Sequence, residues 1–271
     1  MLPGLEIFQY EFMRKAFFVG FLLSVIVPCI GVVIVLKRLS MIGDALSHTS
    51  LAGVTAGLLM GINPILSAVV FSVFAAFGIE VIRKKMPQYA ELSIAIIMSA
   101  GVGVAGVLSG FMKTTANFNS FLFGSIVAIS DFELVLVTAV SIFVLLEFVM
   151  LYKELFFVSL DEKAARLAGV PVKLINFIFT VLIAATVSVA LRTVGALVVS
   201  SLMVIPVACA MQLAKSYRQT VIYSVLFGVF FTVCGLTVSY YASLKPGGTI
   251  VLAGIAVFAG ILSVKAIFVQ R

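Results

Sequence analysis

The stretch "AFFVGFLLSVIVPCIGVVIVLKRLSMIGDALSHTSLAGVTAGLLMG", residues 16–61, joins two apolar segments through the basic turn Lys37-Arg38. Each segment has about 20 residues, which as a helix crosses a hydrocarbon core of about 30 Å. Inside a bilayer every backbone polar group must find a partner within the protein, so apolar segments of this length favour helices. The stretch therefore predicts a helical hairpin that crosses a membrane twice.

The composition of the whole chain agrees with this prediction. Of the 271 residues, 63% are hydrophobic and only 11% are charged, whereas soluble domains carry about 25% charged residues. We predict an all-α integral membrane fold, a polytopic helical bundle of about nine (eight to nine) transmembrane helices with residues 1–271 as a single transmembrane domain. The predicted spans are 16–36, 41–61, 64–82, 91–112, 131–151, 173–191, 194–214, 219–241 and 247–268. Because only two residues separate the sixth span from the seventh, eight crossings and a partial one is the alternative.

Basic residues are distributed unevenly between the two predicted sides of the membrane. If the turn at 37–40 is cytoplasmic, thirteen of the 18 Lys and Arg residues fall inside and five fall outside, as the positive-inside rule describes. This bias accounts for the net charge of +7, so no nucleic-acid partner is expected. It places the C-terminus in the cytoplasm and the N-terminus outside, where residues 2–15, "LPGLEIFQYEFMRK", predict an interfacial helix.

Asp44 and His48 are the feature of the second span that lipid alone does not explain. Four residues apart on a helix, they lie about 40° apart around the axis and about 6 Å apart along it, so both side chains can reach one ligand. Since Lys37 and Arg38 mark the inner boundary, we expect Asp44 within about two turns of it. Ionisable groups at this depth usually face a protein interior or a watery cavity.

The chemistry of this pair points to a divalent metal ion. A carboxylate oxygen and an imidazole nitrogen suit Zn²⁺, with Mn²⁺ and Fe²⁺ as alternatives. Two ligands are too few for a structural zinc site, so a second copy of the chain or a site of passage would be needed. The purely structural interpretation is that the two side chains bond each other or a neighbouring helix.

Glycine residues recur at four-residue spacing in two of the predicted spans. Gly53, Gly57 and Gly61 lie in the second span, and Gly106 and Gly110 lie in the fourth. This spacing makes a flat stripe on one face of a helix and allows a second helix to approach closely. We therefore expect close helix contacts along both stripes.

The segment "YKELFFVSLDEKAARLAGVPVKL", residues 152–174, differs from the other loops. It predicts a short amphipathic helix on the inner surface, with acids near its start and with Gly169 and Pro171 at its end. Its predicted apolar face carries Leu160, Ala164, Leu167 and Ala168. The spacing is typical of an interfacial helix and also of a docking helix for a cytoplasmic partner.

The remaining polar and sulfur-containing residues give weaker signals. Cys29, Cys209 and Cys234 stand singly in apolar segments, which indicates buried small side chains. No P-loop, HExxH or GxSxG motif occurs, so enzymatic activity of this chain is not expected. The other charged residues near span ends are predicted to lie at an interface or to pair helices: Glu80, Glu91, Asp131, Glu133, Glu147 and Arg192.

The second span also carries a resemblance to a known family. The run "VLKRLSMIGDALSHTSLAGVTAGLLMGINP", residues 35–64, resembles the signature region of the permease subunits of zinc/manganese-type ABC importers, a basic turn followed by S-x-[IL]-G-D-[AT]-[LI]-[SA]-H. Other similar segments are "FMRKAFFVGFLLSVIVPCIGVVIVL" (12–36), "FLFGSI" (121–126), "SLDEKAARLAGVPV" (159–172) and "RTVGALVVSSLMVIPVACA" (192–210). The resemblance covers nearly the whole chain.

The resemblance implies a permease that imports divalent metal ions by alternating access in the bacterial cytoplasmic membrane. It implies a homodimer of permeases, cytoplasmic ATP-binding subunits that hydrolyse ATP, and an extracytoplasmic metal-binding protein, with the ion as cargo and no resident cofactor. The matching positions for metal in the path are Asp44 and His48. Those of the ATPase-coupling region are Asp161, Glu162, Ala164, Ala165 and Gly169.

The identity of the cargo is also suggested by the resemblance. "SHTSLAGV", residues 47–54, is more similar to the zinc branch than to manganese relatives, which more often have "SHAVLPGV". Zinc is therefore the expected ion, with manganese or iron as the alternative. A proton-coupled secondary metal carrier is the alternative from another class, which the scarcity of buried acids disfavours.

Overall fold

A computed structural model describes residues 6–86, 89–112 and 129–269. Within these ranges the ordered elements are helical, with no strand. A 3₁₀ turn at Glu6–Gln9 precedes the α-helices. These are α1 Glu11–Leu36, α2 Ile42–Met60, α3 Pro64–Lys85, α4 Ala90–Ser109, α5 Asp131–Met150, α6 Tyr152–Leu160, α7 Glu162–Leu167, α8 Val172–Val194, α9 Ala196–Leu213, α10 Tyr217–Ala242 and α11 Pro246–Val269.

The nine predicted spans coincide with α1–α5 and α8–α11. Among the described residues, seven of these helices are long and apolar enough to cross a membrane. The other two are α2, which carries Asp44 and His48, and α9, whose apolar part Val198–Leu213 is shorter. The predicted polytopic all-α fold is confirmed, and the single domain over 1–271 stays a prediction.

A single residue, Gly195, separates α8 from α9. Its backbone lies at φ 94° and ψ 151°, a region essentially open only to glycine because a Cβ would clash there. The two helices therefore cannot continue into each other. The least secure boundary in the sequence is resolved in favour of two helices.

The core of the bundle is built around α1, α2, α8 and α9. α1 packs against α8, α9 and α10, and α2 packs against α3, α4, α8 and α9. In the apolar windows of α1 and α8, 67% and 72% of the residues are buried, compared with 11% in α11. The central helices are thus enclosed by protein, and α11 presents most of its surface outward.

Close approaches between central helices occur where side chains are small. A Cβ on Gly31 of α1 would collide with the carbonyl oxygen of Met203 in α9. A Cβ on Gly228 of α10 would lie 2.7 Å from the carbonyl oxygen of Ser24. That oxygen lacks a helical partner because Pro28 has no N–H. Small residues and proline together fix how α9 and α10 pack on α1.

The predicted glycine stripes are confirmed in α2 and wrong in α4. A Cβ on Gly53 would lie 2.7 Å from the Ser67 carbonyl oxygen of α3, and one on Gly57 would be 2.9 Å from the Ser67 Cβ. The third glycine, Gly61, caps α2 at φ 68° and has no such neighbour. Around Gly106 the described residues leave open space, because α4 packs through a different face.

The turn between α1 and α2 lies beside the last turns of α3. Lys37, Leu39 and Ile42 line a small cavity together with Glu80 and Arg83, and α3 ends at Lys85. This position agrees with Lys37 and Arg38 as markers of the inner ends of α1 and α2.

The N-terminal segment also differs from its prediction. Residues 6–9 form the 3₁₀ turn and α1 already begins at Glu11, so the described part contains no separate interfacial helix. The ring of Phe8 packs 5.1 Å from that of Phe17, between centroids, and Ile7 is buried. The segment folds back onto α1 because its apolar side chains find protein contacts there.

The ion pairs seen between described residues join groups that the charge count assigns to the same side. Lys15 Nζ lies 2.7 Å from Asp131 Oδ1, and both belong to the predicted outer side. Arg83 Nη2 lies 2.7 Å from Glu80 Oε2 at the predicted inner side. These contacts agree with the predicted topology. Asp131 pairs α5 with α1, as predicted for a helix-pairing group, whereas Glu80 pairs within α3.

Candidate metal site

The face of α2 that carries Asp44 and His48 is open, although the helix itself is buried. Between Ile42 and Gly57, Asp44 and His48 are the only two residues that are not buried. Their spacing puts them on one side of the helix, as predicted. The two ionisable groups therefore share one accessible space while the rest of the helix is enclosed.

A serine of α9 binds the carboxylate of Asp44. Ser200 Oγ donates a hydrogen bond of 2.5 Å to Asp44 Oδ1. The contact requires α9 to lie close to α2, and Gly43 allows this, because a Cβ there would be only 3.4 Å from Ser200 Cα. The hydroxyl fixes the carboxylate at the edge of the open face and adds a third polar group to the pair.

The open face continues along α9. Val204 and Ala208 lie one and two turns after Ser200 on the same helix face, and all three are half-buried. An accessible strip thus runs from Asp44 along α9. In this single chain, α2 and α9 form one side of the strip.

α4 closes the side of α2 next to His48. A Cβ on Gly101 would lie 2.9 Å from the backbone nitrogen of Thr49, so the two helices touch through a glycine. The Thr49 hydroxyl is satisfied within its own helix, where it donates to the carbonyl oxygens of Ala45 and Leu46 at 3.1 and 3.0 Å. α4 therefore packs beside the site and does not contribute a ligand through this contact.

The donor set is incomplete within one chain. Among the described residues, no group of three or more His, Cys, Asp or Glu side chains could hold a metal ion. Cys29 and Cys209 are buried away as free thiols, as predicted, and Cys234 is partly exposed. Asp44, His48 and the Ser200 hydroxyl provide two oxygens and one nitrogen, which suits weak binding of a divalent ion that must be released again.

The predicted short amphipathic helix is α7, and a further helix, α6, precedes it. α6 ends at Leu160, the backbone at Asp161 is extended (φ −152°, ψ 106°), and α7 follows. The Asp161 carboxylate caps α7 by accepting from the backbone N–H groups of Lys163 and Ala164 at 2.7 and 3.1 Å. These two bonds lower the pKa of Asp161. The short helix with acids at its start is confirmed, and α6 is the helix that the prediction did not include.

The apolar residues of the segment face outward. Ala164 is exposed and Leu167 is 90% exposed, whereas Ala165 is buried at 1% exposure. Gly169 at φ 84° ends the segment, as predicted. α7 therefore offers the matched positions Asp161 and Ala164 to the surroundings, and it packs on the bundle through Ala165.

Sequence analysis missed Ser200 as a member of the site. The segment that contains Ser200 resembles the permease family, but two adjacent serines in an apolar helix give no local signal for contact with α2. The predicted outer loop "FLFGSI", residues 121–126, and the side chain of Arg192 lie outside the described residues. The metal-binding role of Asp44 and His48 stays a prediction.

Comparisons with known proteins bear on the whole chain. A family model described as the ABC 3 transport family matches residues 9–265. The "Probable metal transport system membrane protein" of Treponema pallidum is 35% identical over 259 residues, covering 96% of this chain and 97% of the relative. The manganese transport system membrane protein MntC of Listeria monocytogenes is 29% identical, covering 92% and 89%.

A solved structure agrees with the sequence relatives. The structure of PsaBC from Streptococcus pneumoniae in complex with Fab has a TM-score of 0.85 and 27% identity, covering 96% of this chain and 93% of that chain. The family model alone spans far more than half of the sequence. The predicted family is confirmed: the chain belongs to the ABC 3 transport family and is a multi-pass membrane subunit of an ABC transporter.

Proposed function

We propose that the chain is the permease of an ABC importer for a divalent transition-metal ion. The observation that carries the proposal is the open face of α2, where Asp44 and His48 are accessible and every other residue from Ile42 to Gly57 is buried. Membrane proteins keep ionisable groups at such depth chiefly where a substrate or ion passes. The relative from Treponema pallidum is named as a metal transport protein, which supports the same cargo class.

Manganese is the cargo that we propose first, and zinc is second. The zinc preference suggested by "SHTSLAGV" gains no support from the relatives, since the Listeria monocytogenes protein is named for manganese. The donor set favours the same choice. Carboxylate and hydroxyl oxygens from Asp44 and Ser200 suit Mn²⁺, whereas Zn²⁺ favours more nitrogen and sulfur ligands, and the buried thiols lie elsewhere.

We propose that a second copy of the chain completes the path. One chain supplies a carboxylate ligand, an imidazole ligand and one wall of the strip, and a C2 dimer would supply the other wall and a second pair. The outward faces of α4 and α11 carry exposed apolar residues, such as Val107 at 66% and Leu252 at 67%. These faces leave room for the partner copy and for lipid.

The ATP-binding subunits are proposed to dock at α7. The exposed Leu160 and Leu167 lie at this helix on the predicted cytoplasmic side. Covering such apolar side chains with a partner removes them from water and stabilises the complex. An extracytoplasmic metal-binding protein would deliver the ion at the opposite end, near Lys15 and Asp131. ATP binding and hydrolysis would then alternate the exposure of the path between the two sides.

The chemistry within the path follows from the side chains. The Asp44 carboxylate and the His48 imidazole replace part of the ion's hydration shell as it passes. The Ser200 hydroxyl holds the carboxylate in place, so less conformational entropy is lost when the ion binds. A site with few protein ligands binds weakly enough to release the ion inward.

The test is ion uptake into proteoliposomes that hold the chain with its ATPase partner and delivery protein. We expect ATP-dependent Mn²⁺ uptake in the wild type and its loss in Asp44→Ala and in His48→Ala, with the complex still assembled. Glu91→Gln, which removes an exposed carboxylate of α4, is the matched control and should retain uptake. Uptake that persists in both site variants would overturn the role of the pair, and uptake driven by a pH gradient without ATP would favour a secondary carrier.

A further inference from the structure

A buried polar cluster connects the docking helix to the turn that leads into α2. Lys37, which follows the last residue of α1, donates from Nζ to Asn176 Oδ1 of α8 at 2.5 Å and to Glu162 Oε1 of α7 at 3.2 Å. Asn176 Nδ2 donates to the same Glu162 oxygen at 3.1 Å. The three side chains thus form a closed triangle between α7, α8 and the α1–α2 turn.

A fourth element joins the cluster at the same oxygen. Arg83 Nη2 of α3 lies 3.6 Å from Glu162 Oε1 and pairs with Glu80 at 2.7 Å. Glu162 is therefore the point at which α7 meets α3, α8 and the turn. No other charged side chain described in α7 forms an ion pair with the bundle.

The surroundings of the pair make this arrangement unusual. The Lys37 side chain is only 6% exposed, whereas that of Glu162 is 37% exposed. The Lys37 Nζ lies 5.7 Å from the centre of the Phe179 ring. Burial lowers the pKa of Lys37 although Glu162 opposes the shift. Burial alone would raise the pKa of Glu162, but Lys37, Asn176 and Arg83 together lower it.

The stability of the bundle does not by itself account for this pair. Taking the Lys37 ammonium out of water costs free energy that offsets part of its attraction to Glu162, and water screens Glu162, which is 37% exposed. What the contacts provide is one specific geometry between the elements that carry them. In this chain those elements are the docking helix and the turn before the candidate metal site.

The turn can transmit a displacement because backbone hydrogen bonds hold it rigidly. The N–H groups of Arg38 and Leu39 bond to the carbonyl oxygens of Val35 and Ile34 at 3.0 and 2.9 Å, and Ile42 N–H bonds to the Leu39 carbonyl at 2.8 Å. α2 begins at Ile42, two residues before Asp44. A shift of Lys37 therefore moves the first turn of α2 and the carboxylate it carries.

We propose that Glu162 and Lys37 are positioning residues that link the docking helix to the α2 site, so that a movement of α7 changes the side to which Asp44 and His48 are exposed. The inference rests on the proposed docking of ATP-binding subunits at α7. It adds to that function a specific contact that carries the movement.

The test uses the full complex in vesicles and follows the accessibility of position 48. The native cysteines are replaced, a thiol is introduced by His48→Cys, and its labelling by a membrane-impermeant maleimide is timed with and without ATP. With the wild-type cluster we expect ATP to change the labelling rate. Lys37→Met should reduce this ATP effect by about tenfold while ATP hydrolysis continues. Lys84→Gln, which removes a neighbouring cation that pairs only with Glu80, should leave it unchanged.

Exchanging the two charges distinguishes the loss of a specific contact between Lys37 and Glu162 from a general loss of folding. Lys37→Glu combined with Glu162→Lys restores an ion pair with the opposite orientation, and we expect it to recover most of the ATP effect that either single variant loses. A Lys37→Met complex that keeps the wild-type ATP effect would overturn the link. ATP-dependent labelling without any metal uptake by the unmodified chain would instead overturn the proposed cargo and leave the link standing.

Discussion

The second helix and the last helix of the bundle differ in polarity and in surroundings. The more polar helix is buried and the more apolar helix is exposed, which is the reverse of the usual arrangement in soluble proteins. α2 carries Asp44 and His48 together with several hydroxyl groups, yet nearly all of it is buried. α11 is mostly apolar, yet only 11% of its apolar window is buried. Lipid accepts apolar side chains as readily as a protein interior does, whereas polar groups need partners that only protein or trapped water provides.

The comparison shows why the candidate site lies in the least apolar helix. α2 is surrounded by α3, α4, α8 and α9, and most of its hydroxyl groups find partners there or in its own backbone. Ser50 Oγ lies 3.2 Å from Ser188 Oγ of α8, and Thr55 donates to the Leu51 carbonyl at 2.8 Å, whereas Ser47 Oγ is buried without a partner among the described residues. Asp44 and His48 differ from these groups because their face opens to a space.

The largest effect is expected when bulk is added to the buried helix. Gly53→Leu would place side-chain atoms where Ala68 Cα already lies 2.8 Å from a Cβ, and we expect a loss of about 3 kcal/mol or more in the stability of the bundle. Gly260→Leu in α11, where the described neighbours leave open space, is the control and should be tolerated. Thermal unfolding of the purified proteins in detergent measures both.

The control also sharpens the comparison. If Gly260→Leu were as damaging as Gly53→Leu, the outward face of α11 would be covered by protein in the assembled transporter, and the contrast between α2 and α11 would fail. Equal tolerance of both substitutions would contradict the tight packing of α2 on α3.

A smaller effect is expected when a hydroxyl is removed from each environment. Ser200→Ala removes the 2.5 Å hydrogen bond to Asp44, and we expect metal uptake to fall by about tenfold through loss of the oriented carboxylate. Ser263→Ala in α11 removes only a bond of 2.9 Å to the Ala259 carbonyl of the same helix and should not change uptake. The measurement is the apparent affinity for Mn²⁺ in ATP-driven uptake, and an unchanged Ser200→Ala would exclude a positioning role.

The smallest effect concerns the turns that precede the two helices. Arg38 before α2 and Ser243 before α11 both have left-handed backbones, at φ 57° and φ 53°. This conformation costs a non-glycine residue about 1 kcal/mol or more, so Arg38→Gly and Ser243→Gly should each raise thermal stability slightly. Ser263→Gly, inside α11, should lower it by about 1 kcal/mol. A gain at Ser243 with a loss at Arg38 would show that the Arg38 side chain makes a stabilising contact.

Much of the fold was predictable because each span carries its own signal. The nine predicted segments agree with nine helices to within a few residues, although the break between the sixth and seventh spans lies at Gly195 and not at the predicted residues 192–193. The i, i+4 relation of Asp44 and His48 follows from helix geometry alone. The acids at the start of α7 also carry a local signal, whereas α6 before it was not predicted.

The features that the sequence did not predict share a physical origin. The surroundings of Gly106 depend on which helix packs where, and residues far apart in sequence decide this. Ser200 lies 156 residues from Asp44, and Glu162 lies 125 residues from Lys37. Neither pair leaves a periodic or local pattern in a single sequence.

The sequence by itself determined that this protein is a helical membrane bundle, where its helices run, and which two residues form the candidate metal pair, while the side that each helix end faces stays a prediction. These properties follow from apolar length, the position of charge and the pitch of a helix, all of which act locally. Only the tertiary structure decided that α2 is enclosed while Asp44 and His48 stay accessible, that Ser200 binds the carboxylate, and that Glu162 reaches Lys37. Those properties depend on contacts between helices that are far apart in the sequence but adjacent in space. At these contacts an absent Cβ or one buried charge decides which surfaces pack together.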